Sequence, residues 1–525
     1  MRRPLRAPLP ALLPASSGWW AVMLAALAAL SLSCGTETTP EPPVALDHAF
    51  PKGFLWGTAT AGFQVDMGCP TLAAADCDDT HSDWYQFVTD PDLVADASNY
   101  LKGEPVSIGP GMWETYDADF ARAKTELHNN AVRLSLEWSR LFPDGAAEKA
   151  TTVEELDAYA NTKARDHYRA MFASARKHGL TLLVTLNHYT LPLWVHDGKA
   201  CNIQGVDTCK NRGWIDKDRI IRTIALYSGW CAKNFGDQVD LWATLNEPFA
   251  IVLSGYILPS KDRTNPPAVY FNVDHGIQVA FTMMEAHARM YDAVHTYDTV
   301  VADGGNSPAM VGLVPNLTVV QPNDPTDPAA VTAAAHLHHV YNQVFLEATI
   351  NGRLDRNLDG IYEEVRDDMK GRMDYIGVNY YTRIIAQPKP FPGAAEKYPF
   401  LDATPDLAAG VWQDYPAGIR EMVSWAAKTY KLPVIITENG TFKDKATAFE
   451  GFLKPHLTEL HKAMAEPGVT VLGYFMWSLL DNYEWNHGMA LRFGLYAVDT
   501  TKQSKPRTLT ELGRKYGEVA EKNGF

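Results

Sequence analysis

From about residue 50 to the C-terminus the chain alternates short apolar runs with longer amphipathic stretches, without a linker, a low-complexity segment or a repeat. Eight of the runs read as strands buried on both faces: residues 55–58, 131–136, 180–186, 239–245, 311–315, 375–378, 434–437 and 471–477. Helical spacing falls between them, at 113–127, 156–178, 223–235, 275–294, 334–349 and 449–465. Eight strand-helix units that close on themselves form an α/β fold, the (β/α)8 barrel. An open doubly wound sheet is the alternative, disfavoured because no Gly-x-Gly-x-x-Gly or Walker-type loop follows any run. A plain barrel takes about 250 residues. The chain has 525, so the surplus is expected in long loops, and loops at the C-terminal ends of barrel strands are where such folds place chemistry.

Polar side chains gather at those ends: Glu137 and Trp138, Asn187 and His188, Asn246 and Glu247, Asn379 and Tyr381, Glu438 and Asn439, Trp477 and Ser478. Glu247 lies in Thr244-Leu-Asn-Glu-Pro248 on the fourth run and Glu438 in Ile436-Thr-Glu-Asn-Gly440 on the seventh. Two carboxylates delivered by separate strands to one barrel mouth are the minimum equipment for cutting a glycosidic bond. For retention of configuration they must stand about 5 Å apart, one attacking the anomeric carbon while the other protonates the leaving oxygen. The attacking group must be ionised, which a neighbouring arginine secures, and Arg133 on the second run is placed to do so. Either glutamate alone would read equally well as a cap or a surface residue. The pair, each member with its own asparagine beside it, points to catalysis.

Composition narrows the substrate. Against 47 Lys and Arg stand 62 Asp and Glu, a net charge of −15, so no basic surface exists to attract nucleic acid or anionic lipid. A neutral substrate fits that balance better than a phosphorylated one. The 14 Trp and 23 Tyr suit stacking on sugar faces, although a large core also holds many aromatics.

Several motifs together resemble glycoside hydrolase family 1 β-glycosidases over about residues 50–515. They are Phe54-Leu-Trp-Gly-Thr-Ala-Thr-Ala-Gly-Phe-Gln64, Arg133-Leu-Ser-Leu-Glu-Trp-Ser-Arg140, Asn187-His188, the two glutamate motifs, Gly377-Val-Asn-Tyr-Tyr381 and Trp477-Ser-Leu-Leu-Asp-Asn-Tyr-Glu-Trp485. Within the family, Ser82-Asp-Trp-Tyr85, Asp90-Pro91, Tyr159-Ala-Asn161 and His167-Tyr-Arg169 are similar to an archaeal branch with broad glucoside and galactoside use. The resemblance implies a retaining, exo-acting hydrolase that removes terminal nonreducing β-D-glucosyl, β-D-galactosyl or β-D-fucosyl residues through a covalent glycosyl-enzyme, with no metal or organic cofactor.

It also implies roles. Glu438 matches the nucleophile and Glu247 the acid/base, with Arg133 and Tyr381 holding the nucleophile and Asn246 reaching the sugar 2-hydroxyl. Gln64, His188, Asn379, Trp477, Glu484 and Trp485 match residues around the nonreducing sugar, and Phe493 packs near C6. A carboxylate at Glu484 accepts from the 4- and 6-hydroxyls and would repel a 6-phosphate, which argues against the phospho-glycosidase branch. Glu247 argues against the thioglucosidase branch, which has glutamine there. One departure is Tyr189-Thr190, where many members carry a larger aromatic followed by Asp; it leaves a contact beside the sugar open. A transglycosylase of the same family is the enzymatic alternative. A surface carbohydrate-binding protein without catalysis is the other, and it would need a missing glutamate or arginine.

The first 43 residues read separately. Arg2, Arg3 and Arg6 precede an apolar run at 19–32, which is short for a bilayer and fronted like a signal peptide. It ends in Leu30-Ser-Leu-Ser-Cys34-Gly35 and is followed by a Thr, Glu and Pro tether. This resembles a bacterial lipoprotein signal in which Cys34 is lipidated; ordinary cleavage and secretion is the alternative. The expected layout is a signal and tether at 1–43 and one hydrolase domain at 44–525. The protein is expected to be exported and lipid-anchored in the cell envelope, its only membrane contact, with a β-glycoside or oligosaccharide as its small-molecule partner. Cys69 and Cys77, then Cys201 and Cys209, repeat one short spacing in loop-like segments and predict two local disulfides. No Cys-x-x-Cys or neighbouring His supports zinc instead. Cys231 falls in a helical stretch and reads as a buried free thiol.

Overall fold

The structure, a computed structural model, describes residues 46–302, 307–391, 398, 401–406, 408 and 412–525. The expected signal, its tether and Cys34 lie outside the described residues.

All eight expected runs are strands of one closed parallel barrel. They are β1 Leu55–Ala59, β2 Ala131–Ser135, β3 Thr181–Asn187, β4 Leu241–Asn246, β5 Met310–Val314, β6 Tyr375–Asn379, β7 Val434–Gly440 and β8 Val471–Trp477. Neighbours around the barrel follow chain order, and β8 closes on β1. The helices α1 Met112–Thr125, α2 Thr162–Lys177, α3 Lys217–Phe235, α4 Val273–Tyr297, α5 Pro328–His338, α6 Ala417–Tyr430, α7 Lys454–Met464 and α8 Glu511–Lys522 alternate with the strands. Strands buried on both faces cannot show polar alternation, which is why these segments read as continuous apolar runs.

One helix departs from expectation. The stretch 156–178 is not continuous: a short helix Val153–Leu156 ends, the backbone extends at Ala160 and Asn161, and α2 begins at Thr162. Asn161 causes the restart, because its side-chain oxygen accepts from Ala164 N at 3.3 Å and caps the new helix. At the other end of the scale, α5 runs on through π-helical turns His339–Gln343 and Glu347–Asn351.

Inside the barrel, large and small residues alternate across paired positions. Gly312 of β5 sits in register with Tyr375 of β6, whose hydroxyl donates to Trp242 O at 2.9 Å. A Cβ on Gly312 would lie 2.6 Å from the Tyr375 ring and 2.7 Å from its carbonyl. The surplus length builds the mouth: strands Val319–Pro322, Arg383–Gln387 and Thr404–Pro405 form a small sheet in the loops that follow β5 and β6. Cys69 is bonded to Cys77 and Cys201 to Cys209, as the spacing predicts, and Cys231 is buried and free. Among the described residues no helix is long and apolar enough to cross a membrane.

Gly312→Ala is expected to lower the urea midpoint with an unchanged m-value, by the equivalent of about 1–3 kcal/mol, because neither the ring nor the carbonyl can retreat. An unchanged midpoint would mean that β5 and β6 can separate at no cost.

Candidate active site

Glu247 and Glu438 leave the ends of β4 and β7, and the ladders are irregular at both places. Register shifts fall between Ala243 and Asn246 where β4 meets β5, and between Ile436 and Glu438 where β7 meets β6. Such irregularities re-aim the side chains around them. Glu247 also holds a left-handed backbone, φ 41° and ψ 58°, before Pro248 opens a short helix. Tyr189 at φ 75° and Trp485 at φ 49° share that region, which costs a non-glycine residue on the order of 1–3 kcal/mol. All three line one cavity of about 690 Å³.

Glu438 is held on both oxygens. Arg133 Nη1 donates to Oε1 at 2.6 Å and the Tyr381 hydroxyl to Oε2 at 2.7 Å. Arg133 is fully buried, with Nε donating to Thr185 Oγ1 at 3.0 Å and Nη2 to Asn246 Oδ1 at 2.7 Å. Glu247 accepts from the Tyr189 hydroxyl at 2.6 Å and from Asn379 Nδ2 at 2.7 Å. The flanking motif residues fix the strand ends. Asn439 donates to Tyr380 O and accepts from the Tyr474 hydroxyl, both at 2.7 Å, and a side chain at Gly440 would strike the Trp477 carbonyl.

The cavity also brings together Gln64, His188, Asn246, Tyr381, Trp477, Glu484, Trp485 and Phe493. Asn379, which the resemblance puts around the sugar, lies deeper than these. It is fully buried, donates to Glu247 and Asn246 and accepts from Thr437 Oγ1, and is not among the lining residues. It supports a carboxylate from below.

Two polar atoms in the cavity wall are buried without a partner. Gln64 Nε2 donates to Glu484 Oε2 and Asn482 Oδ1, both at 2.9 Å, while Gln64 Oε1 has none. The His188 ring stacks between Trp477 and Trp485, at 6.0 and 5.9 Å. Burial, with Arg133 and Arg263 nearby, holds its pKa far below the usual range, so the ring is neutral. Asn246 Nδ2 donates to His188 Nε2 at 3.1 Å, which puts the ring proton on Nδ1, the atom without a partner. An unpaired acceptor and an unpaired donor in one buried wall are what a hydroxylated ligand would complete.

Burial raises the Glu438 carboxyl to about 7; Arg133 opposes that, the Glu247 charge adds to it, and Tyr381 opposes it. Neutralising Glu247 by protonation therefore favours an ionised Glu438. Burial and the adjacent carboxylates keep the Tyr381 and Tyr189 hydroxyls protonated and able to donate.

Arg263 is a site residue that sequence reading misses, since it lies in a loop with no motif around it. Its guanidinium is 3.6 Å from Glu484 Oε1 and stands over the rings of Tyr189 and Trp485 at 5.1 and 5.3 Å. Burial raises the Glu484 carboxyl and Arg263 lowers it. The negative charge that Glu484 presents to the cavity is weakened accordingly.

Glu137, at the end of β2, is not in the cavity. It is buried behind it, accepting from Phe63 N at 3.1 Å and Thr190 Oγ1 at 2.5 Å, and burial with the Asp79 charge raises it from 4.5 to about 8. Outside the cavity lining, Asp355, Asp359 and Glu363 bring one oxygen each within 4.8 Å of one another and could hold an ion. Their Asp-x-Asn-x-Asp-Gly spacing is that of calcium loops, but the twelfth position is Arg366 where that pattern needs a bidentate glutamate.

The model of Glycosyl hydrolase family 1 matches residues 46–525. The chain belongs to glycosyl hydrolase family 1. It is 34% identical to a β-galactosidase of Pyrococcus woesei, over 87% of this chain and 94% of that one. It is 29% identical to β-glucosidase A of Thermotoga maritima, over 91% and 98%. The crystal structure of a β-glycosidase from Thermosphaera aggregans superposes with a TM-score of 0.76 at 27% identity, covering 91% of this chain and 98% of that one. The protein is a glycosidase, and archaeal β-galactosidases are among its relatives, as the motif pattern implies.

Glu137 makes stability depend on pH. Its pKa is raised on folding, so its favourable contribution is full below about 4.5 and is lost as pH rises towards about 8. Thermal midpoints of Glu137→Gln and the parent are expected to diverge over that window, with the parent falling more steeply by about one proton. Parallel curves would show that Glu137 is ionised in the folded protein.

Proposed function

We propose that the enzyme is a retaining, exo-acting β-glycosidase that releases terminal nonreducing β-D-glucosyl residues and also accepts β-D-galactosyl and β-D-fucosyl substrates. The observation that carries this reading is the differently supported carboxylate pair, Glu438 on Arg133 and Tyr381, Glu247 on Tyr189 and Asn379, in one cavity. The names of the relatives, β-galactosidase and β-glucosidase, support the sugar classes.

In the first step Glu438 attacks the anomeric carbon, the glycosidic bond breaks, and its electron pair takes the proton of Glu247 as the aglycone leaves. Arg133 and Tyr381 orient the attacking oxygen. In the second step Glu247 removes a proton from water as the water oxygen attacks the same carbon, and the ester to Glu438 breaks. Asn246 serves the sugar 2-hydroxyl. Gln64 Oε1, His188 Nδ1 and Glu484 serve the remaining hydroxyls, with Trp477 and Trp485 as the apolar walls and Phe493 near C6. We further propose that the protein is exported and anchored through Cys34, with the two disulfides fitting an oxidising compartment.

Aryl β-D-glucoside should be hydrolysed by the chain that begins at Val44, with the β-anomer released first in an NMR time course. Glu438→Ala should lose kcat on the order of a thousandfold or more while still binding sugar. First release of the α-anomer would overturn retention, and full activity of Glu438→Ala would overturn the assignment.

A further inference from the structure

The glutamates, on β4 and β7, occupy only one end of the cavity; the rest extends between α4, α5 and the loop after β4, and its wall there is mostly apolar. From α4, Ile277, Ala280, Phe281 and Met284 line it, the i, i+3, i+4, i+7 spacing of a single helix face. Leu337, Val340, Tyr341 and Val344, on α5 and its continuation, repeat that spacing. Leu253 and Ile257, one turn apart after β4, also face it.

The α4 face is more than the barrel requires. That helix packs on α3, β4 and β5, and also touches the turn Val252–Ile257 and the segment Glu347–Asn351; a different stripe, Val279, Met283, Ala286 and Met290, is fully buried and available for packing on the barrel. Ile277 and Met284 are 7% and 1% exposed, so the second stripe is sheltered from bulk water while bordering open space. Asn316 and Thr318, polar residues in the same wall, are taken: Thr318 donates to Asn316 Oδ1 at 2.9 Å, and Asn316 Nδ2 reaches Glu247 at 3.4 Å.

We propose that this lobe receives a long aliphatic aglycone, so that the preferred substrates are β-glycosides of long-chain alcohols, glycolipid-like molecules, and not oligosaccharides. The inference rests on the glycosidase reading above and adds the substrate class. A second sugar in the lobe would bury several hydroxyls against two helix faces whose one polar side-chain group is the Tyr341 hydroxyl, a penalty of the kind that rejects a ligand. An alkyl chain loses nothing there, and each buried methylene is worth about fourfold. Unlike an aryl series, aliphatic alcohols are nearly equal as leaving groups. Differences in kcat/KM along an n-alkyl series therefore report contacts with the chain.

The test is kcat/KM for methyl, butyl and octyl β-D-glucoside below their micellar concentrations, beside cellobiose and phenyl β-D-glucoside. A rise of at least about a hundredfold from methyl to octyl is expected, with octyl above cellobiose. A series flat within about threefold while the phenyl glucoside is hydrolysed would overturn the proposal and leave the glycosidase reading standing. Failure of every glucoside would overturn both. Ala280→Phe, which places a ring in the lobe, should cut the octyl-to-methyl ratio by at least about tenfold; an unchanged ratio would place the chain elsewhere. The parent series decides the matter on its own if that variant does not fold.

Discussion

The buried guanidinium of Arg133 is the contact on which the site depends. In the barrel order β2 and β7 are separated by β1 and β8, so an open sheet would hold them about 14 Å apart. Closure lets a side chain from β2 reach across the mouth to Glu438 on β7. The same group bonds Thr185 on β3 and Asn246 on β4, and Asn246 passes the connection to His188 and Asn379. A desolvated charge pair adds little net stability, but removing one partner strands the other at a cost of about 3–5 kcal/mol. The barrel and the site are therefore specified together: a register error in β2 would leave both Arg133 and Glu438 uncompensated.

How much of this was legible follows from what each residue contacts. All eight strands are readable because a doubly buried parallel strand is a continuous apolar run, and the glutamates because each follows such a run. Helix α2 begins later than its periodicity suggests because Asn161, unremarkable by hydropathy, caps a second start. Asn379 and Arg263 show the limits on the site. Asn379 stands beside Tyr381 in the same motif, and nothing in that spacing tells that its amide turns beneath the pair. Arg263 enters through a loop whose path is set by tertiary packing, with no periodicity to announce it. Glu137 shares a strand end with the others, yet the chain turns it away from the mouth into a bond with Thr190.

The charge distribution around the cavity follows from these placements and bears on how such a site works. Burial keeps His188 uncharged and keeps Tyr189 and Tyr381 protonated, so most groups available to sugar hydroxyls are neutral donors or acceptors. Glu484 is offset by Arg263 at 3.6 Å. What remains is the negative charge on the pair, fixed in place by Arg133 and two tyrosine hydroxyls. An oxocarbenium-like transition state develops positive charge at the anomeric carbon, and preorganised charge acts most strongly where water is excluded. Strained backbone at Tyr189, Glu247 and Trp485 and a desolvated arginine all oppose folding. They persist because the barrel around them buries enough apolar surface to offset local costs of this size, and because Arg133, Tyr189 and Glu247 hold or carry the charge of the pair.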